Sequence, residues 1–280
     1  VALSENLEEA KVKCVGELLL DYIEPRIGEA PTELNWDEAL LRSWVPVDKW
    51  VKEFLRYTGD SRKRPYVTSQ YLDTMNWISR HEHPRRLLLM DRQEFVTEGQ
   101  MGRICPVQTP EGPNVGRVLA IARGAVIRDG KIQIIDENPG AGLSITAAMI
   151  PFLECDEPTR ALMGTNMMRQ WQVSDDPEPA LVQTGFEPEE QGLWNGRNLL
   201  TAFMSLGEST FEDGIVISES ASRKLNWEGL IEPGDKVSNR HGTKGVISRI
   251  LPDSDMPRMQ NGTPVELVYS FIGQHTRMNF

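Results

Sequence analysis

Apolar residues in the first sixty positions recur at helical steps. Leu7, Ala10, Cys14 and Leu18 follow one another at intervals of three and four, which puts them on one face of an α-helix. Pro25 and Gly28 are expected to end that helix. Asn35, with Glu38 three residues later, has the spacing of an N-cap followed by an acid at N3. After Pro46, the residues Val47, Trp50, Val51, Phe54 and Leu55 mark a second amphipathic face. The tryptophans read as packing residues of a core or an interface.

The period changes after residue 103. Segments 118–121, 125–127 and 131–135 are short apolar runs that predict strands. Asp129-Gly130 lies between the last two as a hairpin turn. A helix is predicted after Asp156, with Pro158 in its first turn. Residues 174–195 are acidic and interrupted by Pro177, Pro179, Gly185, Pro188 and Gly192, so loops are expected there. Segments 198–205, 214–218, 245–251 and 264–272 return to strand composition. A helical start followed by many short strands predicts an α+β fold with a β-barrel.

Composition narrows the function classes. A chain of 280 residues can bury the core of one large or two modest domains. Its three cysteines, Cys14, Cys105 and Cys155, are far apart and form no C-x-x-C pair. That argues against a disulfide framework or a zinc site and fits a reducing compartment. No apolar run is long enough to span a bilayer, and the start lacks a basic region followed by an apolar stretch. The expected location is the cytoplasm, with no membrane partner. The net charge of −11 disfavours coating by nucleic acid over the whole surface. Any such binding needs a focused cationic patch or a basic partner.

One segment supplies such a patch. Residues 234–245 read Gly-Asp-Lys-Val-Ser-Asn-Arg-His-Gly-Thr-Lys-Gly. From Lys236 to Arg249 there are four basic side chains, one histidine and no acid. A cationic loop in an acidic chain suggests a site for phosphates. Gly242 and Gly245 would let backbone approach a ligand and adopt positive φ. The plainer reading is a glycine-rich surface turn with solvated charges. The Walker spacing Gly-x-x-x-x-Gly-Lys-Ser/Thr is absent, so this is not a P-loop.

The same segment resembles the signature of the second-largest subunit of multisubunit RNA polymerases, the bacterial β subunit. Further stretches agree in the family's order. They are 69–73 through Arg86, similar to the rifamycin-pocket segment, and Gly102-Arg-Ile-Cys-Pro-Val-Gln-Thr-Pro-Glu-Gly-Pro-Asn114. Then come Ile150-Pro-Phe-Leu-Glu154 with Arg160-Ala-Leu-Met-Gly164, Asn166-Met-Met-Arg-Gln170, Gly196-Arg-Asn-Leu-Leu200, Phe211-Glu-Asp213 and Thr276-Arg-Met-Asn279. The resemblance covers residues 12–280. It sharpens the fold expectation to α+β, with a helical fork and rifamycin-pocket-like region over 1–101 and a double-psi β-barrel core with short insertions over 102–280.

The resemblance also implies roles. Lys236 and Lys244 would line an active centre near the RNA 3′ end and the incoming nucleotide. Arg160 and Arg277 would lie near the triphosphate, where a planar fork can bind phosphate in bidentate fashion. Glu212 and Asp213 would stand near a second, weakly held Mg2+; taken alone, they read as solvated surface acids. Asn166, Arg169 and Gln170 recur at helical steps and would line the active site and hybrid region, or form a polar helix surface. Arg240 and His241 join the nucleic-acid-binding set. Glu111 and Asn114 would lie beside the RNA path. Gln70, Asp73, Asn76, Ser79, His83 and Arg86 match the rifamycin segment. Leu88 departs from it, because bacterial β subunits usually carry a small hydroxyl residue there, so weak or absent rifamycin binding is expected.

The implied partners are a β′-like large subunit, α-like subunits, DNA template, RNA and nucleoside triphosphates. The catalytic Mg2+ would be held mainly by the partner, since the Asp-Phe-Asp-Gly-Asp motif does not occur in this sequence. The family's fork loop, external domain and flap look trimmed: eleven residues separate Met90 from Gly102 and fourteen separate Glu219 from Gly234. The reading is a β-like component of a DNA-dependent RNA polymerase, a nucleotidyltransferase not expected to act as a single chain. The alternative is a non-catalytic β-like paralogue that binds nucleic acid or a polymerase. A free-standing phosphate-binding enzyme ranks third, since no nucleophile–base pair stands out.

Overall fold

The computed structural model describes residues 7–28, 37–56, 69–89, 91–92, 95–189 and 193–279. The fold is α+β, as its sequence pattern predicts. Helix α1 (Val15–Ile27) starts after Cys14, whose backbone N–H donates to the Glu17 carboxylate at 3.1 Å. Gly28 ends it at φ 62°, whereas Pro25 is accommodated inside the last turn. The helix therefore begins later than the apolar spacing suggests. Leu7, Ala10 and Val12 precede it and are buried against strands instead. The Val12 N–H donates to the Gly130 carbonyl at 2.7 Å. Of the four residues at helical spacing, Leu7 and Ala10 are buried, by the small sheets rather than a helical neighbour, while Cys14 is exposed.

Helix α2 (Glu38–Trp44) is capped by Asp37, whose carboxylate accepts from the Leu40 N–H at 2.7 Å. The cap expected at Asn35 lies outside the described residues. Helix α3 (Val47–Leu55) presents the predicted apolar face and buries Phe54 against Tyr22 of α1, ring centroids 5.4 Å apart.

Helix α4 (Trp77–Glu82) leads into strand β1 (Arg86–Leu88), which pairs antiparallel with β2 (Val118–Ala120). Strands β3 (Ala125–Arg128) and β4 (Lys131–Ile134) form the predicted hairpin. Asp129 and Gly130 turn it with φ 51° and 71°, the two positive values a type I′ turn requires. Leu7, Leu87, Ile104, Leu119, Ile121 and Ile132 share one core cluster, which joins the chain start to both small sheets. Helix α5 (Ile145–Ala148) is capped by Ser144. Helix α6 (Pro158–Met168) follows Asp156 with proline in its first turn, as predicted.

The second half is built on a five-stranded mixed sheet in the order β5-β9-β6-β8-β7. Its members are β5 (Thr201–Phe203), β6 (Gly214–Ser218), β7 (Lys236–Ser238), β8 (Lys244–Leu251) and β9 (Leu267–Tyr269). The central strand β6 is apolar without alternation because both of its faces are covered. Ile215 and Ile217 enter one cluster with Ile231, Ile247 and Tyr269, while Val216 enters another with Met256, Val265 and Val268. Helix α7 (Glu219–Lys224) follows β6, and α8 (Phe271–Arg277) follows β9. Residues 271–272, which the composition assigns to a strand, open α8 instead.

Candidate phosphate-binding site

Strands β7 and β8 are the two arms of the Gly234–Gly245 segment. Lys236 pairs with Val246, and Ser238 pairs with Lys244. Lys236 and Lys244 therefore point to the same face on a diagonal, at roughly 7–8 Å between their positions. Both are exposed, and neither makes an ion pair among the described residues. Two like charges side by side repel one another, and an anion placed between them removes that cost.

The loop between the arms is held from several sides. Asn239 Oδ1 accepts from the N–H groups of His241 and Thr243, each at 3.0 Å. His241 Nδ1 meets the fully buried Asp156 carboxylate at 2.8 Å. Asn279 Nδ2 donates to the His241 carbonyl at 3.0 Å and to Thr243 Oγ1 at 2.7 Å. Gly242 has φ 82°, and a Cβ there would stand 2.1 Å from the Arg160 carbonyl oxygen. At Gly245 a Cβ would stand 2.3 Å from the Asp213 carbonyl oxygen. The close backbone approach expected of both glycines is thus made inside the fold, to α6 and to the chain before β6. That packing fixes where the lysines stand.

Arg240 is turned inward. It donates to the carbonyls of Met149 at 2.7 Å and Val182 at 2.6 Å, and pairs with Glu187 at 2.9 Å. Burial lowers its pKa against the pull of Glu187. For Glu187, burial opposes ionisation, but N–H groups including that of Thr184 and the charge of Arg240 outweigh it, and the pKa falls.

Asp213 and Arg277 form an ion pair across the start of β6 and the last turn of α8. Hydrogen bonding to Asp213 raises the Arg277 pKa against the cost of burial. The Asp213 carbonyl accepts from the Val246 N–H at 2.9 Å, so the backbone at Asp213 adjoins β8 two residues from Lys244. Arg160 is near enough to act electrostatically on the same neighbourhood, lowering the pKa of Tyr269. Glu212 is exposed and holds a left-handed φ of 52°. The structure therefore gathers Asp213, Arg277 and Arg160 around Tyr269, and packs the Arg160 and Asp213 backbone against Gly242 and Gly245, the glycines that flank Lys244. As a metal centre the acids fall short, since Asp213 is engaged by Arg277 and no group of three or more His, Cys, Asp or Glu able to hold an ion occurs among the described residues. They suit only the margin of a cation whose main ligands come from another chain.

The remaining candidates form a second group around α4 and α6. Asn76 is buried and caps α4, accepting from the Ser79 N–H at 2.9 Å. Its Nδ2 donates to the carbonyls of Met168 and Trp171, both at 2.9 Å. Ser79 is equally buried, and its hydroxyl returns to the Asn76 carbonyl at 2.9 Å. Asp73 donates its N–H to His83 Nδ1 at 2.9 Å, which leaves Nε2 to carry the proton toward Gln70 Oε1 at 3.2 Å. Burial first, then Arg86, lowers the His83 pKa, with Asp73 opposing. Arg86 and Leu88 share the exposed face of β1.

Asn166 donates to the Thr109 carbonyl at 2.9 Å and accepts from Arg169; Gln170 reaches back to the Asn166 carbonyl at 3.3 Å. Arg169 stands 3.7 Å from Glu82. Glu111 and Asn114 are exposed on the loop before β2. Glu82 is absent from the sequence-derived set, yet it is the hub of this group. It accepts from the Thr146 N–H at 2.8 Å, from Thr146 Oγ1 at 2.9 Å and from Gln108. Burial raises its pKa against those bonds and Arg169. Nothing in the local sequence distinguishes it from a solvated helix acid. Asn279 was missed as a site residue for the same reason, although it lies in a quoted motif.

Comparison with protein families bears on two segments of the chain. A model described as RNA polymerase Rpb2, domain 3, matches residues 70–127, and one described as RNA polymerase Rpb2, domain 6, matches residues 224–280. Over both segments the chain is similar to the second-largest subunit of RNA polymerase. Two such domains in one chain indicate an RNA polymerase subunit, part of a nucleotidyltransferase complex that works with other subunits, DNA and RNA. The domain 6 match holds Lys236, Arg240, His241, Lys244 and Arg277; the domain 3 match holds the rifamycin-pocket-like residues with Glu111 and Asn114. Arg160, Asn166, Arg169, Gln170, Glu212 and Asp213 lie between the two; the geometry sets the Arg160 and Asp213 backbone against Gly242 and Gly245, and Asn166, Arg169 and Gln170 in the second group. Among the described residues, no helix is long and apolar enough to cross a membrane.

Proposed function

We propose that this chain is a β-like component of a DNA-dependent RNA polymerase that supplies phosphate-binding cations to an active site shared with a β′-like subunit. The observation that carries the reading is the pair of exposed lysines on one face of β7–β8, neither in an ion pair among the described residues, inside the same domain 6 match as Arg277. Nucleotidyl transfer places several negative charges in a small volume. Fixed cations lower the cost of that concentration and hold the reacting groups in line. Lys236 and Lys244 serve as point charges, and Arg160 and Arg277 as forks. Magnesium belongs to the proposal as an ion held mainly by the partner, with the exposed Glu212 carboxylate on this side.

The test is affinity purification of the chain with its companions identified by mass spectrometry, followed by reconstituted transcription. Recovery with a chain bearing Asp-Phe-Asp-Gly-Asp is expected. Lys236→Ala and Lys244→Ala should each slow nucleotide addition about a hundredfold, the loss typical of one charge-stabilising donor. Unaltered extension rates would sink the reading.

One observation favours a second reading. Asp213 and Arg277 neutralise each other in this structure, which suits a paralogue that binds nucleic acid or a polymerase without catalysis. Nucleic-acid binding that persists without any β′-like companion would support it.

A further inference from the structure

Tyr269 ends β9 and is 1% exposed, its ring packed with Ile215, Ile217 and Ile247. Its hydroxyl leaves that core and reaches the Asp213–Arg277 pair. Arg277 Nη1 donates to Tyr269 Oη at 2.9 Å, and the phenol O–H faces Asp213 Oδ1 at a longer 3.4 Å. Gly273, one helical turn before Arg277, makes the approach possible: a Cβ there would stand 2.7 Å from the Tyr269 hydroxyl oxygen. Burial raises the pKa of the phenol, Arg277 opposes, and Asp213 adds to the rise. The hydroxyl therefore keeps its proton at neutral pH, and the order of donors runs from Arg277 through Tyr269 to Asp213.

An ion pair with one partner 41% exposed fixes an arginine poorly, because solvent competes and the side chain keeps its freedom. A hydroxyl anchored in the core supplies the fixed point that the pair lacks. We propose that Tyr269 is a positioning residue: it holds the Arg277 guanidinium beside Asp213 and aims it at the anion that Lys236 and Lys244 bind. The aim rests on the phosphate-binding reading of that face; the hold on Arg277 does not.

Tyr269→Phe removes the hydroxyl and keeps the buried ring. Relaxation of the Arg277 Nε–H signal in the 15N-labelled full chain reads the hold directly. The side chain should be ordered in the unaltered protein and mobile in Tyr269→Phe. Equal order in both overturns the proposal. Titration with inorganic tripolyphosphate by calorimetry reads the aim. Tyr269→Phe should raise Kd about fivefold, the worth of one hydrogen bond. Arg277→Gln should raise it at least as much, and the double variant no further than Arg277→Gln alone. Effects that multiply independently overturn the aim. Failure of the unaltered chain to bind tripolyphosphate overturns the phosphate reading and the aim with it, while the relaxation result still decides the hold. Should Tyr269→Phe not fold, Gly273→Ala crowds the same hydroxyl from α8 and is read in the same two ways.

Discussion

Asn76→Ala separates a structural role from a ligand-binding one for the residue at the start of α4. The side chain is 5% exposed and fully used. Its oxygen caps the helix through the Ser79 N–H, and its nitrogen serves two carbonyls at the end of α6. Loss of an N-cap costs about 1 kcal/mol. Two buried carbonyls deprived of their donor cost about 1–2 kcal/mol each. The sum is about 3–5 kcal/mol, a large part of the stability of an ordinary domain. Asn76→Ser keeps the cap and loses only the bridge, so it should fall about 1 kcal/mol short of the alanine variant's loss. Asn76→Asp keeps shape and cap but sets a carboxylate oxygen against two carbonyls, and should be no better than alanine. Urea unfolding with fitted m-values measures all three. A loss under about 1 kcal/mol for Asn76→Ala at unchanged m would show that the bridge to α6 contributes little, and the argument from buried satisfaction would fail.

Gly242→Ala should destabilise the β7–β8 loop by more than about 2 kcal/mol, since a left-handed φ and a 2.1 Å contact with the Arg160 carbonyl cannot both be relieved; thermal melting reads it. Arg240→Ala leaves the Glu187 carboxylate, 3% exposed, without its cation and should cost about 3–5 kcal/mol in urea unfolding, with Arg240→Lys giving little rescue because one ammonium cannot match the guanidinium's three contacts. Glu82 has a folded pKa above its ordinary 4.5, so between those values the folded chain binds more protons than the unfolded chain. Stability should therefore decline as pH rises through that window. In Glu82→Gln that decline should vanish from a series of urea midpoints taken against pH; a slope equal to that of the unaltered chain would refute the assignment.

Period and turn chemistry were enough to locate much of the chain's local structure. The β3–β4 hairpin follows from Asp129-Gly130 between two β-branched runs, α6 from Pro158 after an acid, and β6 from an unbroken apolar run. The cationic segment was legible because its charges contrast with an acidic chain. Its role as a two-stranded platform was not, since the three-residue β7 has no pattern long enough to read. The division of labour inside that segment was also hidden. Lys236 and Lys244 face outward while Arg240, equally basic, is spent on Met149, Val182 and Glu187. Sequence supplies the charge; which groups neutralise it depends on residues fifty or more positions away. The same reason explains Glu82, Tyr269 and Asn279, whose partners come from other elements. By itself the sequence determined the α+β class, the main turns and the place of the cationic loop, because these depend on neighbours in the chain. The tertiary structure decided which charges remain free, which acids are buried and which glycines are tight, because desolvation and pairing are set by contacts across the fold.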